Sequence, residues 1–255
     1  MDTYEISDPS HLASFIDHTL LKPDVTAGDI VKLCAEARER TFTSVCVNPF
    51  WVRRAKEELA GTTIKVGATV GFPLGAGCSR SKQFEAAQAL EDGAVELDMV
   101  QNIGALRSGD EEAVREEIGA IAKLTHEQGA ILKVILETCL LTDLEKERTC
   151  RLAVEAGADF VKTSTGFSTA GATTADVRLM RSIVGKTCGV KASGGIKTLS
   201  VMREMLMAGA NRIGTSSGVR ILDELSQELS HPQDSNGGES LKTARLSSQP
   251  GTAIY

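Results

Sequence analysis

Residues 156–163 read Ala156-Gly157-Ala158-Asp159-Phe160-Val161-Lys162-Thr163, and this order of residue types decides the fold. An amphipathic stretch runs into a glycine that can take the left-handed conformation and stop a helix. A short β-branched and aromatic run follows at once, of strand length and not helix length. The same phrase recurs as Asp92-Gly93-Ala94 before VELDMV, Gln128-Gly129-Ala130 before ILKVIL and Ala208-Gly209-Ala210 before NRIGT. The glycines are 36, 28 and 52 residues apart, and the last interval holds two units around Cys188-Gly189. Each run is apolar enough to be buried on both faces, as in a parallel sheet covered by helices.

Working outward, the first half supplies strand-like stretches at Ser14–Thr19, Ser44–Asn48 and Ile64–Val70, with helical stretches near 27–40, 49–60 and 80–91. Later strands fall near 94–99, 131–136, 159–163, 189–192 and 210–214. Thr142 with Glu145 three places on forms a capping box that opens a helix over 142–156. Eight strands alternating with eight helices predict an α/β fold closed as a (β/α)8 TIM barrel. An open doubly wound sheet would want a G-x-G-x-x-G turn after the first strand, and none follows it. The length of 255 residues suits one such barrel, so residues 1–229 are read as a single domain. From Ser230 the chain turns rich in Ser, Gly, Pro and Gln without periodicity, which predicts a flexible tail over 230–255 ending on Ile254-Tyr255.

A net charge of −6 and the lack of a basic run argue against nucleic-acid binding. No segment approaches the ~18 consecutive apolar residues of a membrane span. Residues 1–9 carry three acidic side chains and no apolar run, so they do not read as a signal peptide. The six cysteines are scattered, with no C-x-x-C pair, which predicts a reduced, cytoplasmic protein without a zinc site.

In such a barrel, chemistry sits at the C-terminal ends of the strands. Those ends offer Asp17, Cys46 and Asn48, Thr69, Asp98, Lys133, Lys162 and Lys191 in strand order. A single lysine in a buried run reads as a salt-bridged core residue. Three on neighbouring strands beside an acid read as chemistry. An ordinary lysine is protonated at neutral pH and cannot attack a carbonyl, but burial and a second ammonium both favour the free amine. At ~6 Å and an effective dielectric of about 20, two ammonium groups repel by roughly 3 kcal/mol. Lys162 and Lys191, one βα unit apart, therefore form a nucleophile and the charge that activates it. Asp98 is a candidate proton relay, and Lys133 helps balance charge. Ser193-Gly194-Gly195 after strand seven and Gly214 to Gly218 after strand eight suit an anion, because small residues let backbone N–H groups approach it. Thr163-Ser164-Thr165-Gly166 could add donors. Cys46 reads as a pocket-lining thiol and His18 as a structural hydrogen-bonding group.

Phe160-Val161-Lys162-Thr163-Ser164-Thr165-Gly166 resembles the Schiff-base motif of deoxyribose-phosphate aldolases, and Val190-Lys191-Ala192-Ser193-Gly194-Gly195-Ile196 resembles their second-lysine motif. Asp17-His18-Thr19-Leu20-Leu21-Lys22-Pro23, Ser44-Val45-Cys46-Val47-Asn48-Pro49, Gly71-Phe72-Pro73-Leu74-Gly75 and Glu96-Leu97-Asp98-Met99-Val100 are also similar to family segments, so the likeness spans roughly residues 12–225. It implies a class I, cofactor-free and metal-free lyase of deoxyribose phosphate and nucleoside catabolism. That activity is the reversible cleavage of 2-deoxy-D-ribose 5-phosphate to D-glyceraldehyde 3-phosphate and acetaldehyde. By the resemblance, Lys162 forms the imine, Lys191 tunes it, and Asp98 moves protons. Asp17, Thr165, Gly166, Gly194, Gly195, Ser216 and Ser217 are then expected to hold substrate and its phosphate. Some family members carry a lysine directly after the T-S-T-G run, where this chain has Phe167. Others have a terminal tyrosine that assists proton transfer, which would be Tyr255 here. A homodimer is expected. Two other readings remain open: another imine-forming aldolase or transaldolase acting on a ketose phosphate, and a sugar-phosphate-binding protein without catalysis.

Overall fold

The computed structural model describes residues 8–230. Within them eight parallel strands form a closed barrel in chain order. They are β1 (Ile16–Leu20), β2 (Ser44–Val47), β3 (Lys65–Val70), β4 (Glu96–Val100), β5 (Ile131–Ile135), β6 (Phe160–Lys162), β7 (Gly189–Ser193) and β8 (Arg212–Thr215). The expected (β/α)8 barrel is the observed one, and each expected strand overlaps its counterpart. The second expected helix of the first half is shorter than its pattern. Pro49–Trp51 makes one tight 3-10 turn before the α-helix begins at Val52.

Helices surround the barrel: α1 (Pro9–Ala13), α2 (Ala27–Arg40), α3 (Val52–Glu58), α4 (Ser79–Glu91), α5 (Ile103–Arg107), α6 (Glu111–Glu127), α7 (Asp143–Glu155), α8 (Thr174–Val184), α9 (Leu199–Met207) and α10 (Gly218–Ser230). Two of these, α1 and α5, are five-residue pieces too short to show a period in the sequence. The capping box of α7 forms as read, and Thr26 with Asp29 closes a second one on α2. The four helix-stop glycines, Gly93, Gly129, Gly157 and Gly209, all have positive φ, between 67° and 111°. No helix among the described residues is long and apolar enough to cross a membrane.

The strands are buried on both faces, but the two faces differ in kind. Leu97, Met99, Leu132, Val134, Val161, Val190 and Ala192 join the apolar core with Ile118 and Ile121 of α6, Met180 of α8, Met202 of α9 and Ile221 of α10. The residues between them along the strands are Glu96, Asp98, Lys133 and Lys191, and these are buried as well. Strand periodicity of two sends them into the barrel. Barrel interiors are ordinarily filled by branched apolar side chains; this one is filled by charge.

A second buried ion pair ties the helices to the rim of the site. Lys82 of α4 lies 2.8 Å from Glu117 of α6 and donates to the carbonyl of Val100 at the end of β4, also at 2.8 Å. Burial is the main cause of both titration shifts, pulling the lysine down and the carboxyl up. Lys82→Ala strands a buried carboxylate and should cost about 3–5 kcal/mol in urea unfolding. The double variant Lys82→Met with Glu117→Leu should recover most of that loss.

Candidate active site

Six strands deliver one ionic cluster, and four of them form its centre. The register pairs Asp98 with Lys133 across β4 and β5, and Lys162 with Lys191 across β6 and β7. Asp98 Oδ2 accepts from Lys162 Nζ and Lys191 Nζ, each at 2.7 Å, and its Oδ1 accepts from Lys133 Nζ at 2.8 Å. One carboxylate thus meets all three lysines singled out in the sequence. Lys133 also reaches Glu96 at 2.6 Å, and Lys191 reaches Asp17 Oδ2 at 2.5 Å. Arg212, at the start of β8, closes the cluster from below, with Nε 2.7 Å from Asp17 and an Nη 2.7 Å from Glu96. Ser44 donates to Asp17 at 2.8 Å.

The protonation pattern follows from these distances. Burial would raise Asp98, but the three lysines outweigh it and hold the carboxyl well below the usual carboxylate range. Burial would lower Lys133 and Lys191, yet their carboxylate neighbours more than offset it and both are pushed up. Lys162 alone goes the other way. Desolvation lowers it, Asp98 opposes that, and the Lys191 ammonium adds to the lowering. Lys162 has one carboxylate neighbour and shares it, whereas Lys191 has two. Charge counting agrees: Asp17, Glu96 and Asp98 face Lys133, Lys162, Lys191 and Arg212, so this buried group is neutral when Lys162 is a free amine. Half-exposed Lys65 reaches Glu96 at 3.7 Å only from outside the cluster.

Lys162 is also the member of the cluster that opens onto a cavity of about 350 Å³. Thr165, Gly166, Gly194, Gly195 and Ser216, all expected at an anion site, line it. Gly194 has a φ of 84°, and the carbonyl of Gly194 leaves no room for a side chain on Gly171, where a Cβ would sit 2.2 Å from it. That close approach packs the loop after β6 onto the loop after β7. Leu20, Leu21, Phe167 and Ile196 make an apolar wall, and Phe167 stacks edge-on against Phe72 at 5.3 Å.

Other expected residues fall elsewhere. Asp17 is fully buried and engaged with Lys191, Arg212 and Ser44, so it lies outside the cavity wall and within the ionic cluster. Ser217 lines a separate surface depression with His18 and Glu36, while its backbone N–H is donated to Thr215. Thr165 lines the cavity, but its hydroxyl donates to buried Glu137. Cys46 is buried with Sγ 3.9 Å from Asp98, and its thiol is pushed up to about 11 by burial and then by Asp98. His18 bonds Glu36 at 2.7 Å. Tyr255 and the tail lie outside the described residues.

Sequence reasoning misses Arg212, the ionic role of Glu96, Glu137, and two exposed cations at the cavity, Lys22 and Lys197. Arg212 carries the same signal as the lysines, a charge set in an apolar strand run. Nothing comparable marks Glu137, whose partner is 28 residues away.

A model of the family described as DeoC/LacD family aldolase matches residues 12–224. Among curated relatives, the deoxyribose-phosphate aldolase of Thermococcus gammatolerans is 58% identical over 214 residues, 83% of this chain and 95% of that protein. That of Brevibacillus brevis is 57% identical over 212 residues, with shares of 83% and 95%. A solved structure described as a putative deoxyribose-phosphate aldolase from Coccidioides immitis superposes with a TM-score of 0.83 at 42% identity, covering 86% of this chain and 87% of that one. The tetrameric deoxyribose phosphate aldolase of Aeropyrum pernix gives 0.82 at 37%, with shares of 87% and 93%.

The cluster makes a prediction independent of substrate. Competitive labelling with a small acylating reagent, read by mass spectrometry against pH, should show Lys162 becoming reactive below the ordinary lysine range near 10.4. Because Lys191 helps lower Lys162, Lys191→Met should move that onset to higher pH. An onset unchanged by the substitution would contradict the assigned role of Lys191.

Proposed function

The chain belongs to the DeoC/LacD aldolase family, and from that premise we propose that it is a class I aldolase that reversibly cleaves 2-deoxy-D-ribose 5-phosphate to D-glyceraldehyde 3-phosphate and acetaldehyde. One observation carries the reading: the one amine of the buried ionic cluster whose affinity for a proton is lowered is also the one that faces the cavity.

Lys162 Nζ attacks C1 of the open-chain sugar, and loss of water gives the imine. Once protonated, the imine draws in the electron pair of the C2–C3 bond. The C3 hydroxyl gives up its proton as that bond breaks, and glyceraldehyde 3-phosphate leaves. The remaining enamine takes a proton at C2, and hydrolysis returns acetaldehyde and the free amine. Asp98, 2.7 Å from Lys162 Nζ, is suited to relay these protons directly or through a water. Lys191 stays charged and keeps the next cycle's amine neutral.

Gly166, Gly194, Gly195 and Ser216 bring small residues and a hydroxyl to the cavity wall, and Lys22 and Lys197 add positive charge to it. With Phe167 following the T-S-T-G run, these groups carry the recognition of phosphate. In this proposal Ser217 contributes through the turn into α10, and Asp17 and Lys133 by fixing the cluster. A catalytic part for Tyr255 is an extension of the same proposal.

The proposal includes a homodimer in the cytoplasm. Phe50 and Phe84, 81% and 73% exposed, offer apolar surface for a second copy. The six free cysteines accord with a reducing compartment.

The decisive experiment is borohydride reduction in the presence of acetaldehyde, followed by mass spectrometry of the peptide containing Lys162. The expected result is one ethyl group on Lys162, absent without acetaldehyde. A folded protein that takes no adduct is not an imine-forming aldolase. Asp98→Asn should lower kcat for deoxyribose 5-phosphate by about 10²–10⁴, the usual range for losing a proton-transfer group.

A further inference from the structure

Glu137 is a buried acid that the mechanism leaves unused. It follows β5, is 2% exposed, and takes part in none of the ion pairs among the described residues. Its backbone has φ 59° and ψ 63°, a left-handed conformation in which a residue with a side chain is strained. Such a conformation persists where the surroundings over-determine it. Here the surroundings are the loop that follows the nucleophile. The backbone N–H groups of Leu136 and Thr138 donate to the carbonyls of Lys162 and Thr163, each at 2.9 Å. The carboxylate then accepts from the Thr165 N–H at 3.3 Å and, in a short contact, from the Thr165 hydroxyl. Thr165 Oγ1 in turn accepts from the N–H of Phe167 at 3.0 Å. Thr165, Gly166 and Phe167 are cavity wall, whereas Glu137 is behind it.

We propose that Glu137 is a positioning residue for the anionic end of the substrate. Held in the left-handed conformation, it clamps Thr165 and so fixes where the Gly166 backbone meets the substrate phosphate. The inference rests on the aldolase reading given above. It assigns Thr165 the work of transmitting that clamp, with its hydroxyl proton committed to Glu137. The imine chemistry three residues upstream does not need the clamp, so binding of phosphate and formation of the imine are separable.

Steady-state kinetics on Glu137→Ala, Glu137→Gln and Glu137→Gly test this. Losing the clamp should raise KM for deoxyribose 5-phosphate about tenfold, the equivalent of roughly one charge-assisted hydrogen bond, with kcat nearly unchanged. KM for unphosphorylated 2-deoxyribose should move little. Glu137→Gln keeps an acceptor for Thr165 and should restore most of the affinity. Glu137→Gly relaxes the backbone but carries no acceptor, so it should behave as Glu137→Ala does, and it serves if the alanine variant does not fold. Wild-type kinetics in the glycine variant, no rescue by glutamine, or a fall in kcat at constant KM would each overturn the proposal. Trapping of acetaldehyde on Lys162 is measured in parallel. Its failure in the unmodified protein sinks the aldolase reading itself, whereas normal trapping with unchanged KM in the variants sinks only the role of Glu137.

Discussion

Asp98 is the constraint on which the rest depends. Three lysines from three strands converge on its two buried oxygens. Burying charge is costly unless every charge is paired and hydrogen-bonded. With three carboxylates and four bases, the cluster cannot be balanced with every group ionised. The least costly way to balance it is to leave one base unprotonated. Geometry selects which one. Lys133 is shared between Glu96 and Asp98, Lys191 between Asp17 and Asp98, and Arg212 is held between Asp17 and Glu96. Lys162 has only a share of Asp98. Lys162 is thus the base that this balance leaves most ready to give up its proton, and in the proposed reading it is the nucleophile.

That balance explains why the barrel tolerates a charged interior at all. Parallel register fixes which residues share a level, and Asp98–Lys133 and Lys162–Lys191 are register partners on adjacent strands. The alternate positions on the same strands, such as Leu97, Met99, Leu132 and Val134, give the helices a continuous apolar surface. One strand run therefore serves two unlike layers, an outer one held by the hydrophobic effect and an inner one held by paired charge.

Much of this is legible in the amino-acid order alone, because the fold and the lysines leave local traces. Helix, glycine, alanine and β-branched run follow one another within about ten residues, and a lysine in such a run is conspicuous. What is not legible depends on pairing across the barrel. Asp17 reads as a substrate ligand because it lies on the first strand of a site. Its partners include Arg212, 195 positions along the chain, and only closure of β8 onto β1 brings them together. Thr165 reads as a free donor for the same reason, since the acid that accepts its hydrogen bond is on another loop. Residues whose role is set by their own type can be read from the chain, and residues whose role is set by a distant partner cannot.

The two kinds of charge in the site are kept apart, and the separation has a chemical sense. Lys133, Lys191 and Arg212 are buried and paired, and the Lys191 ammonium acts on Lys162 little screened by solvent. Lys22 and Lys197 are exposed at the cavity mouth, where solvent and salt weaken them, and the apolar wall of Leu20, Leu21, Phe167 and Ile196 shares that mouth. A phosphate arriving at the mouth therefore meets cations that can attract it without joining the buried network. If its charge entered that network, it would oppose the lowering of the proton affinity of Lys162, since a further anion stabilises ammonium. In the proposed reading, placing the anionic end of the substrate at the glycine-rich loops and its carbonyl at Lys162 lets one small cavity take a charged sugar without adding an anion beside the amine whose affinity for a proton is lowered.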